Sequence, residues 1–183
     1  MKHLESYKEM HEDEAVYDGC SLNLHAQSIK DIIAISGAKT LLDYGCGKGM
    51  QYFREKYHEK YFFGIMPELY DPAVTKYSVL PEGTFDGVIC TDVLEHVPEE
   101  ELDKVLTKIY SKATEFVYLG ICTIPANVFL PSGENAHVTL KSFDWWVDKI
   151  RPHAVLGTQV YCYGLTRGTA RIEDSTVIFK KER

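Results

Sequence analysis

The nine residues Leu41 to Gly49, LLDYGCGKG, constrain this chain more than any other stretch. An apolar run ends in an acid, and glycines follow at every second position: Asp43, Gly45, Gly47, Gly49. Glycine permits backbone conformations and close approaches that other residues resist. A glycine loop between a strand and a helix brings main chain against a ligand. The segment therefore asks for a strand–loop–helix unit. A chain built on such units is expected to form a parallel sheet with ligands at the carboxyl ends of its strands.

Hydrophobic spacing supplies the order of the other elements. QSIKDIIAIS sets Ile29, Ile32, Ile33 and Ser36 at helical spacing, with Gly37 as its cap. TLLDY is a short buried strand, and MQYFREKY after the glycines reads as a helix. PELYDP holds a short strand that Pro72 ends. GTFDGVICTD is a second apolar strand with Gly83 as its turn signal, and EFVYLGICTIP a third. Between them PEEELDKVLTKIYSKA predicts an amphipathic helix, with Pro98 at its start and three glutamates suited to the helix dipole. SFDWWVDKI is a short helix behind a Ser142 cap. Its adjacent Trp145 and Trp146 cannot share one face, so one belongs to the core and the other to a pocket or interface. AVLGTQVYCY and STVIFKK are late strands with no helix between them, which suits an antiparallel pair at one edge. The stretch from Asp71 to Phe85 is too short for a full helix–strand–helix unit, so the sheet is trimmed on that side.

The 183 residues suit a single domain with a full core. A net charge of −7 argues against DNA or an anionic membrane as partner. No apolar run approaches the roughly 20 residues of a membrane span. The charged start MKHLESYKEMHEDE lacks an apolar signal core, so a cytoplasmic protein is expected. Five scattered cysteines without a CxxC pair predict reduced thiols, with Cys90 and Cys122 as core filler.

The glycine spacing narrows the ligand. A phosphate loop needs GxxxxGK[ST], which is absent. A dinucleotide fingerprint needs GxGxxG, and its third glycine falls on Met50. A carboxylate two residues before the first glycine is awkward beside a pyrophosphate and suited to a cation. These residues are similar to the first motif of class I S-adenosylmethionine-dependent methyltransferases, and FDGVICTDVLEHVPEEEL resembles their fourth motif. Together with YDPAV and ENAHVTLKSFDWW they resemble a group of small bacterial and phage methyltransferases.

The resemblance implies a Rossmann-like doubly wound α/β fold, mostly parallel with an antiparallel C-terminal edge pair. It implies one domain over residues 1–183, a lid or cap at 1–25 and a core at 26–183. It implies S-adenosyl-L-methionine as cofactor and S-adenosyl-L-homocysteine as product. Asp43 would hold the cofactor ammonium, and backbone at Tyr44, Gly45, Cys46 and Gly47 would line that end. The helix start near Gly49 would favour the carboxylate. Asp71 would take the ribose hydroxyls, with Tyr70 and Pro72 flanking the adenosine. Glu68 is the alternative acid, and a strand ending at Met66 would leave that slot without one. Ser78 to Leu80 is the expected neighbourhood of the adenine. Thr91 and Asp92 would contact the cofactor.

On the acceptor side the resemblance implies Glu95, His96 and His137 as catalytic candidates. With Asp92 they form a D-x-x-E-H pattern plus a distant histidine, similar to a divalent-metal pattern of some O-methyltransferases. A metal, an acid–base role and a Glu95–His96 pair that merely organises the loop before Pro98 all remain open here. Tyr7, His11 and Tyr17 would line the acceptor pocket from the N-terminal segment. The activity expected is methylation of a small-molecule acceptor, at oxygen. The alternatives are a non-catalytic cofactor-binding protein and methylation of a small RNA end. A nicotinamide dehydrogenase is disfavoured by Asp43 and the missing glycine. The acceptor's identity and the oligomeric state are left open.

Overall fold

A computed structural model describes residues 3–12, 21–163 and 175–179. The expected alternation of strands and helices is present. Helix α1 (Leu4–Glu12) and α2 (Leu22–Ser36) precede β1 (Leu41–Tyr44), and the short helices α3 (Met50–Phe53) and α4 (Tyr57–Lys60) follow the glycines. Then come β2 (Glu68–Tyr70), β3 (Phe85–Thr91), α5 (Leu102–Lys112), β4 (Ala113–Cys122), α6 (Phe143–Ile150), β5 (Gly157–Tyr163) and β6 (Ser175–Phe179).

The strands form one sheet in the order β2-β1-β3-β4-β5-β6. The first five run parallel, and β6 runs antiparallel to β5 with Thr158 opposite Phe179. This is the Rossmann-like arrangement with the antiparallel edge pair. No further strand flanks β2 among the described residues; only the Thr75–Tyr77 turn and loop fill the way to β3, which is the trimmed side. The chain leaves β1 for β2 on one side and continues through β3 on the other. Their carboxyl ends diverge there, which opens a crevice beside the glycine loop.

Alternation along each strand divides the core into two layers. Leu42, Val88 and Val117 face Leu106 and Ile109 of α5 and Trp146 and Ile150 of α6. Leu41, Ile89 and Phe116 face Ile29 and Ile33 of α2, together with Tyr52 and Phe62. Asp43, two residues after Leu41, follows it onto the α2 face. Helix α2 starts at Leu22, earlier than its isoleucine pattern implied, because Leu22 and Ala26 extend the buried stripe. It ends where Gly37 turns left-handed (φ 72°) and its N–H donates to the Ile33 carbonyl at 2.9 Å.

Two helices differ from the sequence expectation. MQYFREKY does not form one helix: α3 stops at Phe53, and Lys56 takes a left-handed φ of 58° before α4. Residues 53–56 are exposed, so a continuing helix would have had no apolar face to bury there. The three glutamates after Pro98 form a 3₁₀ turn, and the α-helix proper begins at Leu102. Ser142 caps α6 as expected, its hydroxyl accepting from the Trp145 N–H at 3.4 Å. Trp146 is fully buried, while Trp145 packs partly against the core under the Lys141 ammonium. The four described cysteines are free thiols, and Cys90 and Cys122 are buried. Among the described residues no helix is long and apolar enough to cross a membrane.

Candidate active site

A cavity of about 380 Å³ opens at the carboxyl ends of β1, β2 and β3, and α1 lies across it. One wall is the glycine loop. Its backbone is tied to the end of β2: the Gly45 and Cys46 N–H groups donate to the Tyr70 carbonyl at 2.7 and 3.1 Å. The Asp71 carboxylate accepts from Gly47 N–H and Ala73 N–H, each at 2.8 Å. Gly45, Gly47 and Gly49 all have positive φ (93°, 54° and 68°), so the alternate spacing of glycines follows from the loop conformation. A Cβ on Gly45 would also collide with the Val93 side chain. The loop is thus a cradle whose positive-φ positions favour glycine.

Asp43 sits beneath this loop. It is buried and accepts a hydrogen bond from the Tyr52 hydroxyl at 2.8 Å. Burial pushes its pKa from 3.8 up to about 7; the Tyr52 bond opposes this and the nearby Asp71 charge adds to it. Three carboxylates, those of Asp43, Asp71 and Asp92, therefore border one cavity, and no lysine or arginine is among the described residues that line it. A ligand cation beside Asp43 would relieve that imbalance. Tyr52 is a site residue that sequence reasoning missed; the signal was a tyrosine nine positions after Asp43 on the helix following the loop.

Asp71, Pro72, Ala73, Thr91 and Asp92 also line the cavity, as do Gly45, Cys46, Gly47 and Gly49. Asp92 has a left-handed φ of 56°, unusual outside glycine, and its N–H donates to the Gly120 carbonyl at 3.0 Å. That turn swings Val93 against Gly45. Thr91 shares a hydroxyl–hydroxyl bond with Ser21 at 3.2 Å.

Several expected residues stand elsewhere. The Tyr44 and Tyr70 rings pack edge-on against each other, 4.8 Å apart, in the core layer facing α5, and neither lines the cavity. Alternation decides this for the side chain: Tyr44 points opposite to Asp43, whereas the expectation for Tyr44 concerned its backbone alone. Glu68 and Met66 are exposed, and Ser78 to Leu80 lie away from the cavity wall. The helix behind Gly49 is four residues long, too short to develop a strong dipole.

The opposite wall carries histidines. His96 and His137 both line the cavity, with ring centroids 4.7 Å apart and planes at 85°. His96 Nδ1 is 2.8 Å from the Ala136 carbonyl, and His137 Nδ1 is 2.6 Å from the Ile124 carbonyl. A carbonyl only accepts, so Nδ1 carries the proton in each ring and Nε2 carries the lone pair. Burial, reinforced by neighbouring His137, takes the His96 pKa down to about 4, against the pull of the Ala136 bond. Burial lowers His137 as well. Both are neutral bases at neutral pH. From α1, Tyr7 and His11 reach the same cavity, as expected of them, while Tyr17 lies outside the described residues.

Glu95 does not face the cavity. The Leu94–His96 turn is 3₁₀, with about three residues per turn, so neighbouring side chains diverge by about 120°. His96 points to the cavity and Glu95 points inward, fully buried, where Oε1 accepts from the Cys122 N–H at 2.8 Å. Its Oε2 has no well-formed partner. Burial, with Asp92 adding, raises its pKa well above the ordinary carboxylate value, despite nearby main-chain N–H groups. The one group of metal-capable donors among the described residues is Glu95, Cys122 and His137, within 4.8 Å of one another. It shares only Glu95 with the D-x-x-E-H pattern, and includes the distant His137.

The chain matches the family described as "Methyltransferase domain" over residues 22–156. No curated protein matches it.

Proposed function

The chain belongs to the methyltransferase-domain family, and from that premise we propose that it transfers the methyl group of S-adenosylmethionine to an oxygen of a small-molecule acceptor. The observation that carries the reading is the division of one cavity into an acidic, glycine-lined half and a half bearing two neutral imidazoles. S-adenosylmethionine brings an already activated methyl group on a sulfonium, so the protein's task is positioning and exclusion of water.

Asp43 is suited to the ammonium of that cofactor: a buried carboxylate with a raised pKa gains most from a cation. Asp71 is suited to the ribose hydroxyls. Its two oxygens are already fixed by Gly47 and Ala73 N–H groups, and each retains a lone pair for a hydroxyl proton. Pro72 and Ala73 border the adenosine side, and Thr91 and Asp92 the methyl-bearing end. On the acceptor side a hydroxyl must lose its proton as its oxygen attacks carbon. Nε2 of His96 or of His137 takes that proton. Glu95 acts beneath them as a buried support for the Cys122 main chain rather than on the acceptor. The described lining, which holds no lysine or arginine, favours a neutral small molecule over a phosphate-bearing RNA end.

The test is calorimetry with S-adenosylhomocysteine, followed by incubation with S-adenosylmethionine and a panel of phenols, alcohols and amines, scored by mass. Binding with methylation of a hydroxyl acceptor supports the reading. Binding without any methylated product would leave a non-catalytic cofactor-binding protein. Absence of binding would overturn the cofactor assignment.

A further inference from the structure

Helix α1 does more than lie over the cavity. Tyr7, buried on its inner face, donates its hydroxyl proton to the Ala136 carbonyl at 2.7 Å, with the His96 carbonyl at 3.2 Å sharing it. The same Ala136 carbonyl accepts from His96 Nδ1. One buried oxygen thus receives two protons, from α1 and from the candidate base. The Tyr7 ring also meets the His96 ring edge-on at 5.4 Å.

The loop bearing that carbonyl is held independently at its other points. Asn135 bridges it to Ala126, accepting from the Ala126 and His137 N–H groups and donating to the Ala126 carbonyl. Thr139 ties it to the Glu95 and Val97 carbonyls. Ala136 lies between those anchors; its own N–H donates to the Val128 carbonyl at 3.1 Å, which leaves the orientation of its carbonyl to the Tyr7 and His96 donors. Tyr7 seats in a small apolar cluster with Ala73, Leu130 and Ala136, against which Leu4 and Met10 pack. This cluster is separate from the two main core layers, so α1 docks as its own unit.

We propose that Tyr7 is a positioning residue for the acceptor half of the site: its hydroxyl fixes the Ala136 carbonyl that holds the His96 proton on Nδ1, so that docking of α1 and presentation of the His96 Nε2 lone pair to the acceptor are one event. The consequence for turnover rests on the proposed methyl transfer; the tautomer itself does not. Without the Tyr7 bond, the Ala136 carbonyl keeps His96 as a donor but loses the contact that orients it, so the Nδ1–H···O geometry loosens and the Nε2–H tautomer gains population.

The experiment is long-range ¹H–¹⁵N NMR of the imidazoles in the full chain, comparing wild type with Tyr7→Phe and Met10→Ala. Phenylalanine keeps the ring that fills the apolar cluster and removes only the hydroxyl. Met10→Ala weakens the packing of α1 and leaves the hydroxyl. The wild-type His96 signals should report the Nδ1–H tautomer. Tyr7→Phe should show a mixture or exchange broadening, and Met10→Ala a smaller change. An unchanged His96 tautomer in folded Tyr7→Phe would overturn the proposal, as would an equal change in both variants. Calorimetry with S-adenosylhomocysteine on the same samples keeps the two readings apart. Loss of binding in the wild type would sink the cofactor assignment without touching the tautomer result. Tyr7→Phe should bind within about twofold of wild type.

Discussion

At the scale of single residues, Asp43 carries the most chemistry. Its folded-state pKa of about 7 lies above the ordinary 3.8. A raised carboxyl pKa contributes stability that is fully present below pH 3.8 and lost as pH rises through about 7. The ligand-free protein is therefore expected to lose melting temperature across that window. Asp43→Asn keeps an acceptor for the Tyr52 hydroxyl and should flatten the dependence, which scanning calorimetry at several pH values would check. Cofactor binding should run the other way. A ligand ammonium needs the ionised carboxylate, so affinity for S-adenosylhomocysteine should rise with pH through about 7. Asp43→Ala should weaken that affinity by about 2–4 kcal/mol, the loss of a buried charge-assisted contact. Unchanged affinity in a folded variant would remove Asp43 from the site.

At the scale of elements, the join between β2 and the glycine loop decides whether the cofactor half exists. Asp71 binds two N–H groups of that join, whereas Glu68 and Met66 are exposed at the far end of the strand and before it. Asp71→Ala should both weaken S-adenosylhomocysteine binding and destabilise the fold by about 1–3 kcal/mol, since it leaves donors unsatisfied. Glu68→Ala and Met66→Ala should stay within roughly 0.5 kcal/mol of wild type. Greater damage from Glu68→Ala would mean that the ribose acid is misassigned. The strands themselves could be read in the sequence because apolar runs such as LLDY and FDGVICT stand beside turn glycines, and the missing helix between the last two strands announced their antiparallel pairing. What could not be read was which face an alternating pattern presents to the ligand. Tyr44 and Tyr70 flank the right loop yet point into the core layer facing α5. Nor does any spacing announce that the chain breaks at Lys56, since the break reflects a missing surface to pack against. Glu95 and His96 are adjacent letters, and only the 3₁₀ turn sends one inward and the other to the cavity.

At the scale of the whole molecule, the cavity joins segments that no local pattern links: Tyr7 and His11 from α1, His96 after β3, and His137 from the loop before α6. The family motifs marked the last two and left their geometry open. Because the two halves of the cavity use different groups, they should respond to different perturbations. Cofactor-side variants should lose S-adenosylhomocysteine binding. His96→Ala and His137→Ala should retain it within about twofold while lowering turnover by roughly 10²–10⁴-fold if the altered ring is the general base. The pH profiles should separate in the same way. His96, with its pKa near 4, stays neutral well below pH 7. Turnover with saturating cofactor should then hold down to about pH 5, while kcat/KM for the cofactor falls as Asp43 protonates near pH 7. A kcat that falls in parallel with kcat/KM at neutral pH would place the limiting ionisation on the acceptor side instead. Full activity in both stable histidine variants would remove the imidazoles from the chemistry. A lowered melting temperature, with residual activity tracking the folded fraction, would reduce them to supports of the Ala136 and Ile124 carbonyls they contact.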